Sequence, residues 1–151
     1  MKETCVKIVN HSRHELPSYE TLYSAGMDVR ALMEFPLEKV ILSPGKRVII
    51  GTGLHVAVPD GYEIQVRSRS GLAAKSGIMV LNSPGTIDSD YRGEIKVILL
   101  NTSQDDTHIV RDGDRIAQLV LSEKPRVRWE VVEELPESVR GVGGLGSTGV
   151  K

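Results

Sequence analysis

Short segments rich in valine and isoleucine recur along the chain, and in most of them apolar residues alternate with polar ones. A two-residue period is typical of β-strands, because successive side chains of a strand point to opposite faces of the sheet. We therefore predict strands in the segments CVKIV (5–9), MDVRAL (27–32), KRVIIG (46–51), HVAV (55–58), YEIQVR (62–67), EIKVILLN (94–101), DRIAQLVL (114–121) and RWEVV (128–132).

Turn signals separate these segments. Turns containing proline and glycine are predicted at 43–45, 59–61 and 83–85, and an Asp-Gly-Asp turn at 112–114. Many short strands joined by such turns are typical of a β-sandwich or β-barrel. The pattern therefore predicts an all-β fold.

One segment has the composition of a short helix, SGLAAKSG, from Ser70 to Gly77. Ser70 is suited to the N-cap, and Gly77 is suited to ending the helix. We predict one helix in an otherwise all-β chain.

The alternating pattern stops near Glu133. The sequence that follows contains Pro136 and clustered glycines, which do not suit the interior of a strand or helix. We therefore predict a single β domain over 1–132 and a flexible, Gly-rich arm over 133–151.

Composition and charge limit the kinds of binding partner and indicate the cellular compartment of the protein. The formal net charge is −1, so no overall basic field attracts nucleic acid or an anionic membrane. The first residues lack the apolar core of a secretory signal, and no apolar run approaches the ~18 residues of a membrane span. Cys5 is the only cysteine, which excludes an internal disulfide and suits a reducing compartment. We expect a soluble cytoplasmic protein with Cys5 buried.

The most informative polar segment is LNSPGTIDSDYRGE (81–94). Asn82 offers amide donors and an acceptor, Pro84-Gly85 suits a tight turn, and Asp88 begins a polar return strand where it can act as a base on water. A hairpin of this composition can bind the edge of a small polar ring. A solvated hairpin with cross-strand charge pairs explains the spacing equally well.

A second candidate is RSRSGLAAKSG (67–77). Arg67 and Arg69 share a strand face, and Ser70-Gly71 opens the helix with free N–H groups, so the segment suits a phosphate. An ordinary N-cap flanked by surface arginines is the commoner explanation of any single motif of this kind.

The C-terminal arm has a third composition that suits an anion. Its segment RGVGGLGSTG (140–149) contains the glycine spacing G-x-G-x-x-G, but too few residues follow to form the helix that a dinucleotide-binding loop needs. Arg140, Ser147 and Thr148 supply a charge and two hydroxyls. Taken alone, such a segment is more typical of a disordered tail.

Asp28 and Gln118 are weaker candidates. Asp28 shares a strand face with Arg30, and Gln118 follows Arg115 by three positions. Polar residues of this kind more often lie on strand surfaces. The four histidines have no ligand spacing, so we expect no metal held directly by the protein.

In their order along the chain, these segments resemble the five motifs of the homotrimeric dUTP diphosphatases. The matching segments are AGMDVRA (25–31), RSRSGLA (67–73), GTIDSDYRGE (85–94), GDRIAQLV (113–120) and RGVGGLGSTG (140–149). Five ordered matches over nearly the whole chain are far more specific than one glycine pattern. The resemblance implies a jelly-roll-like β-barrel or sandwich that forms homotrimers, with active sites shared between subunits.

The resemblance also implies Mg²⁺-dependent hydrolysis of dUTP to dUMP and pyrophosphate. Asp88 would activate the water that attacks the α-phosphorus, and Tyr91 would pack against the deoxyribose and exclude a 2′-hydroxyl. Asn82 and the backbone near Gly85 and Ile87 would pair with uracil. The other implied site residues are Arg69, Ser70, Gly71 and Gln118 for phosphates from a second subunit, Arg140, Leu145, Gly146, Ser147 and Thr148 for closure from a third, and Asp28 near the magnesium waters or as a support.

The chain departs from the family pattern at two positions. Ser68 stands where proline usually separates the two arginines of the second motif, which should loosen that turn slightly. Leu145 stands where the arm usually carries an aromatic residue that stacks on uracil. Leucine covers the base without stacking, so the closed state should be weaker by roughly 1 kcal/mol.

Two other functions fit parts of the pattern. The dCTP deaminase branch shares the fold and binds a triphosphate, but the hairpin with Tyr91 argues for a diphosphatase. A non-catalytic trimeric nucleotide-binding module would not need Asp88 together with Arg69 and Gln118.

Overall fold

The computed structural model describes residues 3–144, which form ten strands and one short helix. The strands are β1 (Lys7–Asn10), β2 (Met27–Arg30), β3 (Lys39–Leu42), β4 (Arg47–Ala57), β5 (Tyr62–Arg67), β6 (Ile78–Val80), β7 (Gly85–Ile87), β8 (Glu94–Asn101), β9 (His108–Arg111) and β10 (Arg115–Glu123), and the helix is α1 (Ser70–Ser76). One sheet has the order β1-β4-β8-β6 and another β2-β10-β5-β7, while β3 and β9 form a two-stranded ribbon. The predicted all-β, jelly-roll-like sandwich with one short helix is confirmed.

The core is a single cluster of apolar side chains from both four-stranded sheets. In β8, Ile95, Val97 and Leu99 are at most 1% exposed, whereas Lys96 between them is exposed. Val29 of β2 and Ala117 of β10 are fully buried in the same cluster. Alternation thus sends one face of each strand inward, where a buried Val, Leu or Ile side chain contributes about 1.5–3 kcal/mol.

Two of the predicted strands, at 46–51 and 55–58, are parts of one strand, β4. Its pairing with β8 shifts register between Gly51 and His55, so the strand contains a bulge. The glycines in this bulge interrupt the alternation of the sequence, although the strand continues through them.

The predicted strand at 128–132 is wrong, because no strand follows β10 within the described residues. Trp129 and Val131 are 86% and 96% exposed. The segment has the alternation of a strand, but it pairs with no strand within residues 3–144.

The predicted hairpin at 81–94 is also wrong, because its two arms belong to different sheets. The preceding strand β6 pairs with β8, whereas β7 pairs with β5. The chain crosses from one sheet to the other between Val80 and Gly85. The polar segment is therefore a connection between sheets and not a hairpin.

Two local predictions also need correction. Arg69, not Ser70, is the N-cap of α1, and no side chain caps the helix. Gly77 ends the helix in the left-handed conformation with φ of 64°, as predicted. Cys5 is exposed and not buried, since it precedes β1 at the edge of its sheet.

The segment from Lys124 to Gly144 contains no helix or strand. The predicted boundary between domain and arm at 132/133 stays a prediction. Within the described residues, no helix has the length and apolarity needed to cross a membrane.

Candidate functional site

A cavity of about 260 Å³ lies between the end of β5, the strand β7 and the start of β8. It is lined by Val66, Asn82, Gly85, Thr86, Ile87, Asp88, Tyr91, Glu94 and Lys96. Five residues that the sequence predicts to contact the base, the sugar or the attacking water line this one cavity: Asn82, Gly85, Ile87, Asp88 and Tyr91. Their individual roles stay predictions.

The wall of the cavity is formed by β7, which is an edge strand of its sheet. Gly85 is paired with Val66 of β5, and a Cβ at Gly85 would lie 3.2 Å from both Asn82 Nδ2 and Val66 Cβ. Glycine at this position therefore lets the Asn82 amide lie close to the strand. Because one side of an edge strand is not paired with another strand, its backbone can bond a ligand.

Asp88 and Tyr91 lie on the turn that follows β7. The backbone N–H of Tyr91 donates to the carbonyl oxygen of Asp88 at 3.2 Å, and the phenol oxygen of Tyr91 donates to the carbonyl oxygen of Glu94 at 2.9 Å. Asp88 is exposed, and no group within residues 3–144 bonds its carboxylate. The carboxylate is therefore available to a water molecule or to a ligand hydroxyl.

A second group of polar side chains surrounds Asp28, which is 10% exposed. Arg69 Nε donates to Asp28 Oδ1 at 2.9 Å, and Arg115 Nη1 lies 3.2 Å from Asp28 Oδ2. Gln118 Nε2 donates to Asp28 Oδ1 at 3.3 Å. We call Asp28, Arg69, Arg115 and Gln118 the Asp28 cluster. Its two guanidinium groups can bind phosphate oxygens.

Strand register assembles the Asp28 cluster. β10 lies between β2 and β5, so Gln118 is opposite Asp28 on one side and opposite Arg67 on the other. Arg69 follows β5 at the start of α1, and its Nη1 donates to the carbonyl oxygen of Arg115 at 3.1 Å. Three motifs that are far apart in the sequence therefore meet at one end of this sheet.

The remaining predicted site residues that the structure describes lie apart from the cavity. Ser70 and Gly71 are exposed at the start of α1, beside the Asp28 cluster. Arg140 is exposed, and its Nε donates to the carbonyl oxygen of Gly143 at 2.8 Å. The predictions for Leu145, Gly146, Ser147 and Thr148 lie outside the described residues. Within the described chain, no member of the Asp28 cluster lines the cavity.

Sequence reasoning missed Arg115 as a member of the Asp28 cluster and Lys96 as a cavity residue. In the sequence, Arg115 is distinguished only by its position three residues before Gln118 and by following the Asp-Gly-Asp turn within the fourth motif. Its Nη1 also lies 3.0 Å from Glu20 Oε1. Lys96 occupies a solvent-facing position of an alternating strand, which gives no signal of function.

Ser68 has a contact that the sequence did not predict. Its Oγ accepts a hydrogen bond from the backbone N–H of Val80 at 2.9 Å. Proline has no side-chain acceptor, so serine ties the turn before α1 to β6. This bond opposes the loosening expected from the loss of proline.

The family model for dUTPase matches residues 12–149 of the chain. The chain is 50% identical over 149 residues to a deoxyuridine 5′-triphosphate nucleotidohydrolase of Fusobacterium nucleatum subsp. nucleatum, covering 99% of each chain. It is 51% identical over 145 residues to a protein of the same name from Rickettsia bellii, covering 96% of this chain and 94% of that one.

A solved structure supports the same relationship. A mutant dUTPase of Staphylococcus bacteriophage 80alpha, with dUpNHpp, superposes with a TM-score of 0.85 at 26% identity. The match covers 98% of this chain and 100% of the phage protein.

Proposed function

Because the chain belongs to the dUTPase family, we propose that it hydrolyses dUTP to dUMP and pyrophosphate in the cytoplasm. This reaction keeps uracil out of DNA and supplies dUMP for dTMP synthesis. The observation that carries the proposal is the cavity that holds Asn82, Asp88 and Tyr91 together.

The cavity suits uracil. Uracil presents an N–H donor between two carbonyl acceptors, so it needs a partner with groups of both kinds. The Asn82 amide has donors and an acceptor, and the unpaired side of β7 offers backbone groups at Gly85 and Ile87. Cytosine has an amino donor in place of one carbonyl, so the same partners bind it less well.

Tyr91 provides the sugar discrimination. Its ring borders the cavity, and its hydroxyl is held by the Glu94 carbonyl oxygen. A ring fixed in this way packs against a deoxyribose and leaves no room for a 2′-hydroxyl. A ribonucleotide is therefore a poor substrate.

Asp88 is the general base. Its exposed carboxylate has no partner within residues 3–144, so it is free to accept a proton from water. The resulting hydroxide attacks the α-phosphorus, and pyrophosphate leaves with the electron pair of the broken P–O bond. The same carboxylate also holds the sugar 3′-hydroxyl.

Phosphate binding comes from neighbouring subunits of a homotrimer. The resemblance implies that a second subunit presents its Arg69, Ser70, Gly71 and Gln118 to the triphosphate. The position of the Asp28 cluster outside the cavity of its own chain supports this arrangement. The arm of a third subunit closes the site with Arg140, Leu145, Gly146, Ser147 and Thr148. Arginines and backbone donors then offset the roughly four negative charges of the triphosphate.

Mg²⁺ fits this site through the substrate. Within residues 3–144, no group of three or more acidic, histidine or cysteine side chains is arranged to hold a metal ion. A magnesium site does not need such a group, since Mg²⁺ usually keeps several waters and binds mainly through substrate phosphates. A Mg²⁺ ion bound to the substrate phosphates would neutralise part of their charge and polarise the P–O bonds. Asp28 is already bonded by Arg69, Arg115 and Gln118, which favours contact through water or a supporting role.

A substrate panel tests the proposal. Purified protein is incubated with Mg²⁺ and dUTP, dCTP, UTP or dTTP, and the products are resolved by chromatography. We expect dUMP and pyrophosphate from dUTP and little turnover of the other three. Ammonia and dUTP formed from dCTP would indicate a deaminase, and no turnover of any nucleotide would indicate a binding module.

A further inference from the structure

Glu94 ends the third motif and borders the cavity, yet the chemistry proposed above gives it no role. Its Oε1 accepts hydrogen bonds from two successive backbone N–H groups of β4, those of Thr52 at 3.0 Å and Gly53 at 2.9 Å. Hydrogen bonds to an ionised acceptor are stronger than those between neutral groups. The carboxylate is therefore firmly attached to the neighbouring strand.

The bulge in β4 has the shape needed to receive this carboxylate. A Cβ at Gly51 would clash with Glu94 Oε1, and the three nearest atoms to that Cβ all belong to Glu94. Gly53 has φ of +67°, the left-handed conformation that turns successive N–H groups toward one acceptor. Thr52 Oγ1 donates to the carbonyl oxygen of Ile95 at 2.7 Å and so fixes the bulge against β8.

The attachment of Glu94 extends to Tyr91. The Tyr91 hydroxyl donates to the backbone carbonyl oxygen of Glu94 at 2.9 Å. A Cβ at Gly93 would clash with the Tyr91 hydroxyl and ring, so the ring lies directly against the backbone that precedes Glu94. The position of the tyrosine ring therefore depends on where residues 93 and 94 are held.

We propose that Glu94 is a positioning residue, which anchors the 88–94 loop on the β4 bulge and thereby sets the place of Tyr91 in the site. The inference rests on the proposed function, because it assigns the selection of deoxyribose to the anchor as well as to the ring. Sugar selectivity, and not only stability, depends on a bond to a strand outside the motif.

The first test compares the ratio of kcat/KM for UTP to that for dUTP in three variants. Glu94→Ala removes the anchor and should raise this ratio by about 10-fold, in line with the cost of small misplacements in a site. Glu94→Gln keeps an oxygen that can accept both N–H bonds, so its ratio should stay near that of the wild type. Tyr91→Ala marks the ratio expected when the ring is absent.

A matched control separates positioning from stability. Asp112 is also a carboxylate that accepts a backbone N–H bond, from Met33 at 2.8 Å, but it does not line the cavity. Asp112→Asn should lower the unfolding temperature and leave the UTP to dUTP ratio unchanged. A change in ratio as large as that of Glu94→Ala would overturn the assignment.

A double-mutant cycle that combines Gly51→Ala with Glu94→Ala tests whether the Glu94 carboxylate occupies the space beside Gly51. Gly51→Ala fills the space of Glu94 Oε1, so this variant should raise the ratio as Glu94→Ala does. Once Glu94 is alanine, the added methyl group has room, and Gly51→Ala should then have almost no further effect. If Glu94→Ala does not fold, Gly51→Ala provides a second way to displace the Glu94 carboxylate and test the proposal.

The outcomes are distinct. A wild-type ratio in Glu94→Ala and Gly51→Ala, with normal dUTP hydrolysis by the wild type, overturns the anchor and leaves the proposed function intact. Additive effects of the two substitutions also overturn it. Absence of dUTP hydrolysis by the wild type overturns both.

Discussion

Two aspartates, Asp28 and Asp112, are both held by arginines but differ in the kind of donor that surrounds them. Among residues 3–144, the groups that bond the Asp28 carboxylate are all side chains, those of Arg69, Arg115 and Gln118. Asp112 accepts a backbone N–H bond from Met33 at 2.8 Å, and its Oδ2 lies 2.9 Å from Arg13 Nη2. Side-chain donors can turn toward a ligand, whereas a backbone donor cannot. We infer that Asp28 orients ligand-binding groups and that Asp112 stabilises the fold.

The environment of Asp112 supports its structural role. Burial disfavours its charged form, but the hydrogen bonds from the Met33 N–H, Arg13 and His14 outweigh burial and lower the pKa of the Asp112 carboxyl. Arg13 Nη2 also donates to the carbonyl oxygen of Met33 at 3.1 Å. These bonds tie the segment after β1 to the turn between β9 and β10.

The substitution with the largest expected effect is Asp28→Asn, which should lower the activity on dUTP. The amide keeps the shape of the carboxylate but no longer holds Arg69 and Arg115 by charge, so kcat/KM for dUTP should fall by about 100-fold. The unfolding temperature should change little, because the lost partners are side chains that reach solvent. Wild-type kinetics in this variant would show that Asp28 has no role in orienting the ligand-binding groups.

Asp112→Asn should have the opposite profile. Loss of charge-assisted bonds to one backbone and two side-chain groups should lower the free energy of unfolding by about 1–3 kcal/mol. Denaturant titration measures this value, and kcat/KM for dUTP should be unchanged. A larger loss of activity than of stability would contradict the distinction drawn between the two aspartates.

The pH dependence of the unfolding free energy should also show that Asp112 stabilises the fold. Its pKa is lower in the folded chain than in the unfolded chain, so its contribution is complete above the unfolded value of about 3.9. That contribution is lost as the pH falls through the lowered folded pKa. Unfolding followed from pH 6 down to pH 2 should show a weaker acid dependence in Asp112→Asn than in the wild type. Parallel curves would exclude Asp112 as a contributor.

Glu20→Gln should have the smallest effect. Glu20 Oε1 lies 3.0 Å from Arg115 Nη1, but the Glu20 side chain is 71% exposed and that of Arg115 42%. Solvent screens such a pair, so stability should change by less than about 0.5 kcal/mol. A loss of activity comparable to that of Asp28→Asn would place Glu20 in the ligand-binding group instead.

The parts of the fold that the sequence predicts well are the strands with an unbroken period. The segments predicted at 62–67 and 94–101 coincide with β5 and β8. β7 has only three residues, too few to show a period, and its partner β5 is distant in the sequence. The same limit made the 81–94 segment look like a hairpin.

Residues that line the cavity could be predicted from the sequence, but the contacts that hold them in place could not. The polar composition of 81–94 drew attention to Asn82 and Asp88, and motif resemblance assigned a role to Tyr91; all three line one cavity. The contact of Glu94 with Thr52 and Gly53 depends on the register of β4 and β8 around a bulge. No pattern within the 85–94 motif contains that register, so only the folded chain reveals the anchor.

The most direct test of the central claim is the turnover and nucleotide affinity of Asp88→Asn. The amide keeps the size of the side chain but cannot take a proton from water, so kcat for dUTP should fall by at least about 100-fold. The Kd for dUpNHpp, measured by calorimetry in the presence of Mg²⁺, should stay close to that of the wild type. Near-normal turnover by the variant would contradict the role of Asp88 as the base.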